Sequence, residues 1–533
     1  MAKFRSKTNY AQVYSSDKQG YNLGLDGAIY IRQEATPRVL SLPRIGTQGK
    51  STSAAAPSTD ISAAASPATL KLTLRGAAQV TASVTTAGLT TGTLIAAALE
   101  TAFNTALAAA GQDGRVWVEF AGGLYVVHDQ STGTASTVVI ANGTSNNIAD
   151  DLKLGLANSG VESTGTDDQD FLLYTTGGPS FSQPVESNQH RSGRFHTGII
   201  RKKKVAEFDW DTLVNMSGSA GDSIDGAVQL LMEAMLGKKT VTSGQFIDFE
   251  QDLPVIYFSI VRVSTIFAEY FTGGYVRQMN LGFPGDGPAT IKYQGKASDC
   301  YEAGIAQVNG AVSASTDVIL NAGESKRYTA SAPVMVVDTD GRTILYGADG
   351  GLTVASYDDA LETIVLSAAV TIPDNAYVVP WDPGAVQQTA RDAIYTDLVG
   401  SCKLTSSGSV VDVTDIQLTM NNDHVDLDNR FGSDANKGFV AGNRMTPELS
   451  ITFDLSNETY GEIVRSREFA GFSPEIVLGN VSSGRYMKIT APKWIPAVPA
   501  KEVPENGTTP TTLVGNLFQS APGARDPIKI RFG

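Results

Sequence analysis

Along most of this chain apolar and polar residues alternate over short stretches, and helical spacing occurs in three places. Leu70, Leu72 and Leu74 alternate with Lys71 and Thr73, the period of a half-buried strand. Ile95, Leu99, Phe103 and Leu107 then recur at four-residue steps, with Glu100, Thr101, Asn104 and Thr105 on the other side. That spacing predicts an amphipathic helix closed by Gly111. The runs 116–118, 124–127 and 138–140 read as strands. Residues 66–165 are therefore expected to be a small α+β module, its helix packed on one face of a sheet.

Ahead of it, residues 1–65 contain one strand-like run at 28–32. A Pro- and Ser/Ala-rich stretch follows, ending in STSAAAPSTDISAAASPAT, and reads as a linker. In 166–302, a strand is expected at 206–210. A helix follows through Ile224, Val228, Leu231, Met232 and Met235, capped by Asp222 and Ser223 and ended by Gly237. Strands are expected at 255–263, 275–281 and 289–293, the last two joined by the turn GFPGDGPA. Residues 303–395 read as an all-β unit with a hairpin at Asp338-Thr339-Asp340-Gly341 and strands at 364–370 and 377–380. Residues 396–533 resume the rhythm of 166–302. They offer strands at 413–420, 449–455, 475–478, 485–490, 512–519 and 527–532, and a helix after Ser456 through Tyr460, Ile463, Val464 and Phe469.

Composition sharpens this picture in a few respects. A chain of 533 residues, 42% hydrophobic and 18% charged, can bury sizeable cores, and its length suggests roughly two to four domains. Its 53 glycines favour turns and strands over long helices. A net charge of −14 argues against binding nucleic acid by neutralising phosphates, whereas an acidic wall would keep a passing duplex from sticking. Two cysteines exclude a disulfide scaffold. The opening MAKFRSKTNYAQ lacks the apolar run of a secretory leader. No stretch approaches the roughly 18 uninterrupted apolar residues of a membrane span.

The search for chemistry yields little. Gly49-Lys50-Ser51 resembles the end of a phosphate-binding loop, but Arg44 stands where that loop needs its first glycine. His190 and His196 lie among arginines, which oppose a bound metal. Asp423, Asp426 and Asp428 cluster, but Phe431 stands where a calcium loop counted from Asp426 needs glycine. Cys300 and Cys402 bracket the all-β unit and read as two separate buried thiols. No catalytic, cofactor-binding or metal-binding residue is expected, and the protein is not expected to be an enzyme.

One resemblance carries a function. In FTGGYVRQMNLGFPGDGPATIKYQGKASD, an aromatic-glycine strand and an alternating strand precede a glycine-rich turn and a strand ending near Gly-Lys. Gly273, Gly274, Gly285, Gly287, Gly295 and Lys296 hold these places. In the later block an alternating strand runs to Asn421 and Asn422, and a loop with Gly442 and Arg444 follows. PVESNQ at 184–189 and the strand at 28–34 fit the same order. This order resembles the bacteriophage major tail tube protein family, over about half of the chain.

The resemblance implies a mainly β fold, a tail-tube-type β-sandwich or half-barrel with a flanking helix. Residues 1–65, 166–302 and 396–533 would form it. The α+β module 66–165 and the all-β module 303–395 would be inserted decorations. Subunits would join into rings, by family analogy hexameric, and stack into the hollow tail conduit for DNA ejection. Further partners would be the tape measure protein, the tail terminator and distal tail proteins, and genomic DNA passing through without specific binding. The place would be the virion tail, assembled in the host bacterial cytoplasm, with no membrane insertion. Two polar stretches, 180–200 and 421–443, are expected as stacking arms. Arg194, Phe195, Arg430, Phe431 and Arg444 are their candidate contacts, because Arg and aromatic residues favour interface cores. The lumen-facing side of the alternating strands is expected to be acidic or neutral. A tail sheath or other virion structural protein, and a surface adhesin or carbohydrate-binding protein, are the alternatives.

Overall fold

The computed structural model describes residues 10–17 and, from 28 to 533, all positions except 45, 113, 134–135, 167–169, 184, 188–190, 193–194, 197–198, 202–203, 217–223, 225, 243, 253–254, 265, 286, 383–391, 394–399, 405–409, 423, 428–438, 441–444, 455–470, 482–484 and 498–509. The fold is mainly β, in several antiparallel sheets. The path of the largest runs Lys493–Pro496, Pro510–Phe518, Met445–Asp454, Val413–Asn422, Phe267–Pro284, Thr290–Ala297, Val205–Leu213 and Thr176–Ser182. A second, of seven strands, runs Gly237–Thr242, Phe246–Gln251, Lys529–Phe532, Arg485–Thr490, Glu475–Asn480, Gly400–Lys403 and Val410–Val411.

Both sheets mix the two separated blocks of sequence. Phe267–Pro284 pairs with Val413–Asn422 from Gln278 opposite Asn421 to Pro284 opposite Asp415. Phe246–Gln251 pairs with the C-terminal strand Lys529–Phe532. One hydrophobic cluster joins the sheets, with Trp210, Phe249 and Met279 from the first block and Leu418, Ile451 and Phe532 from the second. Leu231, Met232 and Met235 of the helix Gly226–Leu236 complete it. Each such side chain contributes roughly 1.5–3 kcal/mol on burial, so neither block keeps its core without the other. Gly237 ends the helix at φ +96°, a left-handed conformation that glycine adopts without strain. The expected caps Asp222 and Ser223, and the expected helix after Ser456 as far as Phe469, lie outside the described residues.

Phe267–Pro284 is an 18-residue strand, of which alternation foretold 275–281. The nine residues after Phe267 are buried without interruption, because a second core lies on their other face. With both faces dry there is no polar alternation to read. Gly273, at φ +65°, lies within this stretch. The strand expected at 255–263 begins at Phe258.

The second core comprises residues of 303–381, including Val334, Val336, Tyr377 and Val378. It also takes in Tyr30, Val261 and Tyr270 of the main sheet, and Tyr10 and Tyr14. The last two belong to a helix, Tyr10–Asp17, that the sequence did not suggest. Tyr14 donates its hydroxyl to Glu324 at 2.7 Å, and Tyr10 donates its backbone N–H to Gly341 O at 2.8 Å.

The third core is self-contained, its buried residues all lying between Ile61 and Leu154. Its helix, Gly92–Ala109, starts at the N-cap Thr91 and ends at Gly111 (φ +68°). The N–H groups of Gly111 and Gln112 return to Ala108 O and Leu107 O, a Schellman ending. The helix is apolar enough in composition to cross a membrane, with a mean hydropathy of 1.2. Here its apolar stripe packs into the core, while Glu100 accepts from the Val118 N–H at 3.0 Å. The linker reading fails in part. Gln48–Thr52 is a strand between Leu124–Thr132 and Val161–Ser163. Its inward positions are Gly49 and Ser51, small polar residues that hydropathy does not mark as buried.

Candidate functional site: a polar sheet face with two hairpin arms

Two long hairpins continue the main sheet. In the first, Val205–Leu213 pairs with Thr176–Ser182, Ile199–Arg201 with Val185–Ser187, and Phe195–His196 with Arg191–Ser192. The register is nearly constant from one of these three pairings to the next. In the second, Val413–Asn422 pairs with Met445–Asp454, and Val425–Asp426 with Phe439–Val440. These are the stretches the sequence offered as arms. Of the candidate contacts, Arg194, Arg430, Phe431 and Arg444 lie outside the described residues. Phe195 is placed by its backbone, opposite Ser192.

The root of the second arm is held by an aromatic cluster that sequence reasoning missed. Phe439 packs on Tyr275 with ring centroids 3.9 Å apart, on His424 at 4.1 Å and on Tyr257 at 5.0 Å. Tyr275 stands opposite Lys296 in the ladder of the main sheet. The available signal was the presence of His424 and Phe439 among the apolar residues of a mainly polar loop.

Between the arms lies the solvent face of the main sheet. Opposite its buried Ile416, Leu418 and Met420, the strand Val413–Asn422 presents Asp415, Gln417, Thr419 and Asn421. Register carries that face across the sheet: Asp211, Lys292, Asn280, Thr419, Glu448 and Asn516 form one row. Asp209, Gln294, Gln278 and Asn421 form the next. Lys292 pairs with Asp209 at 3.1 Å, and Lys296 lies 4.0 Å from Glu207. The hydrogen bond to Asp209 raises the affinity of Lys292 for its proton. Glu207, Asp209, Asp211, Asp415 and Glu448 stand against Lys292, Lys296, Arg277 of the cleft and, two positions from Ile495, Lys493, so the face carries a small excess of carboxylates. A cleft of about 760 Å³ on it is lined by both arm roots, including Ser180, Glu207, Gln278, Lys296 and Asn421.

The suspected chemical motifs do not converge. Lys50 sits mid-strand between Gly49 and Ser51, a placement no phosphate loop has. His128 stacks on Trp117 at 3.9 Å and bonds Glu119 at 3.0 Å. His190, Asp423 and Asp428 lie outside the described residues; His196 and Asp426 are placed by backbone alone. Among the described residues no group of three His, Cys, Asp or Glu could hold a metal. Cys300 and Cys402 are free thiols buried in the same core. Burial pushes both up, Cys402 to about 12, so neither is a reactive thiolate.

No protein-family model matches this chain, and no match is found among curated proteins.

Proposed function

We propose that this protein is a structural subunit that closes into rings and stacks into a hollow tube, in the manner of the bacteriophage major tail tube proteins its sequence resembles. One observation carries the reading: two distant blocks of sequence build a single sheet with one dry face, one polar face with a small excess of carboxylates and two hairpin arms at its margin. The sheet path ends in the strands Thr176–Ser182 and Lys493–Pro496. Ile495 and Val514, exposed on the otherwise polar side near the second of these ends, suit a protein contact there. Edge-to-edge contact between these two ends of neighbouring copies, the second of which already bridges Phe472 at Trp494, would repeat around a ring and cover the exposed edge of Thr176–Ser182. The polar face would then line the lumen and its excess carboxylates repel passing DNA, and the arms would reach the next ring. In this reading 46–166 and 303–382 are decorations on the outside. The tape measure, terminator and distal tail proteins would meet the ends of the tube in the virion tail.

Electron microscopy and sedimentation velocity of the purified full chain test this. Stacked hollow rings are expected over a range of protein concentration and salt. A monodisperse monomer under all these conditions would sink the proposal.

A further inference from the structure

We propose that the N-terminal helix Tyr10–Asp17 is an exchangeable strap, closing on its own 303–382 unit in the free subunit and on the 303–382 unit of a second copy in the assembled tube. This rests on the assembly reading above and adds a link between copies that is separate from the main sheet and the arms.

The seat of the helix is the starting observation. Tyr10 and Tyr14, one helical turn apart, are 4% and 5% exposed. Ala11 and Val13 are half-buried beside them, and Gln12 is exposed. Tyr14 meets Tyr377 edge to face, with ring centroids 5.5 Å apart. Besides donating to Glu324, its hydroxyl accepts from Asn321 Nδ2 at 3.2 Å, and the Tyr10 hydroxyl donates to Asp382 at 3.3 Å. Glu324 is buried and also accepts the Gln307 N–H at 2.8 Å, so the unit itself holds this acceptor in place. With Gly341, which takes the Tyr10 N–H, each of these partners of the helix lies between 321 and 382. The seat therefore belongs to the unit, and any copy offers the same one.

Three features make the contact exchangeable. An eight-residue helix does not hold by itself in water, and two buried tyrosines are little to set against the entropy of ordering it, so the strap comes off readily. Ten residues, KQGYNLGLDG, separate it from the strand Ala28–Gln33. Fully extended, a chain of that length spans about 35 Å, the scale of a small domain. Charge draws the strap to the unit of any copy. Residues 1–9 carry three Lys and Arg and no carboxylate, whereas 303–382 carries ten carboxylates against three Lys and Arg, a net −7. In the ring reading the units of successive copies stand side by side. Passing the strap to a neighbour keeps every contact of the seat and ties two copies together, which is why exchange of an identical element is a low-cost route to assembly.

Cross-linking of the full chain tests this. One variant carries Gln12→Cys, on the exposed side of the helix; another carries Thr339→Cys, exposed on the turn that holds Gly341. Cys300 and Cys402 are buried and stay unlabelled. Circular dichroism first establishes that both variants are folded. The two are mixed before assembly and then treated with a short bismaleimide. A covalent heterodimer is expected in the assembled fraction, on the order of tenfold above the same mixture kept dilute and unassembled, because assembly raises the effective concentration of a neighbour's seat. It should vanish when Tyr10→Ala and Tyr14→Ala are added to the first variant. A chain carrying both cysteines should close within itself when dilute and give a ladder of linked copies when assembled. If assembled copies give no heterodimer while the doubly substituted chain still closes within itself, the strap stays on its own unit and this inference falls, with the ring reading untouched. A heterodimer that survives loss of both tyrosines comes from proximity alone and overturns it equally. A parent that never assembles removes the ring reading itself.

Discussion

Asp248 illustrates how single residues hold the outer sheet together. It lies on the inner of two paired strands and accepts Arg531 Nε at 2.6 Å, Arg531 Nη2 at 2.9 Å and Lys529 Nζ at 2.8 Å. Arg531 also stacks over Phe246, 3.7 Å from the ring centroid. Burial alone would raise the Asp248 pKa, but the hydrogen bonds and charges of Arg531 and Lys529 outweigh it and hold it below its ordinary 3.8. A carboxylate depressed in the fold stabilises it fully above the unfolded value and loses that contribution as pH falls through the folded value. Urea titrations should therefore show stability constant above about pH 5 and falling below pH ~4. Asp248→Asn should cost about 1–3 kcal/mol at neutral pH and flatten that acid limb. An unchanged acid limb in the variant would show that Asp248 is not its source.

At the scale of elements, strands with one wet face were legible and strands with two dry faces were not. Thr290–Ala297 and Val413–Asn422 alternate in burial as in hydropathy. Ala268 to Val276 are buried on both faces and show no alternation in burial, because the second core covers what would have been a wet face. The arms were legible as polar stretches between alternating strands, but not the clamp at the second root, since aromatic contact depends on which strand lies beside the loop. Phe439→Ala should loosen that arm locally by about 3 kcal/mol. Hydrogen exchange should accelerate at 413–426 and 439–446, with little change in the strands Phe246–Gln251 and Lys529–Phe532. Uniform acceleration across both sheets would mean that the arm is not a separable element.

The whole molecule turns on how its three cores are divided. Thr47 and Thr166 meet at the neck of the first unit, with the Thr47 N–H 2.9 Å from Thr166 Oγ1, and Arg44 clasps Asp170 through its backbone and side chain. Chain entry and exit are adjacent and the core between them is private. Replacing 48–165 by a short turn should leave a soluble β-protein with the parent's assembly, because closing so short a gap costs little entropy; an insoluble product would contradict this. The same excision of 306–380 should fail, since it bares Tyr30, Val261 and Tyr270. The amino-acid sequence by itself determined the β class, the helices Gly92–Ala109 and Gly226–Leu236 and the acidity, because each is written in local periodicity or charge. Tertiary structure alone decided that Gly49 and Ser51 are inside a sheet and that the two blocks interleave. It also decided that one accessory unit has its own core while the other shares the main sheet. Those outcomes depend on which surfaces meet across hundreds of residues, and no local pattern records that.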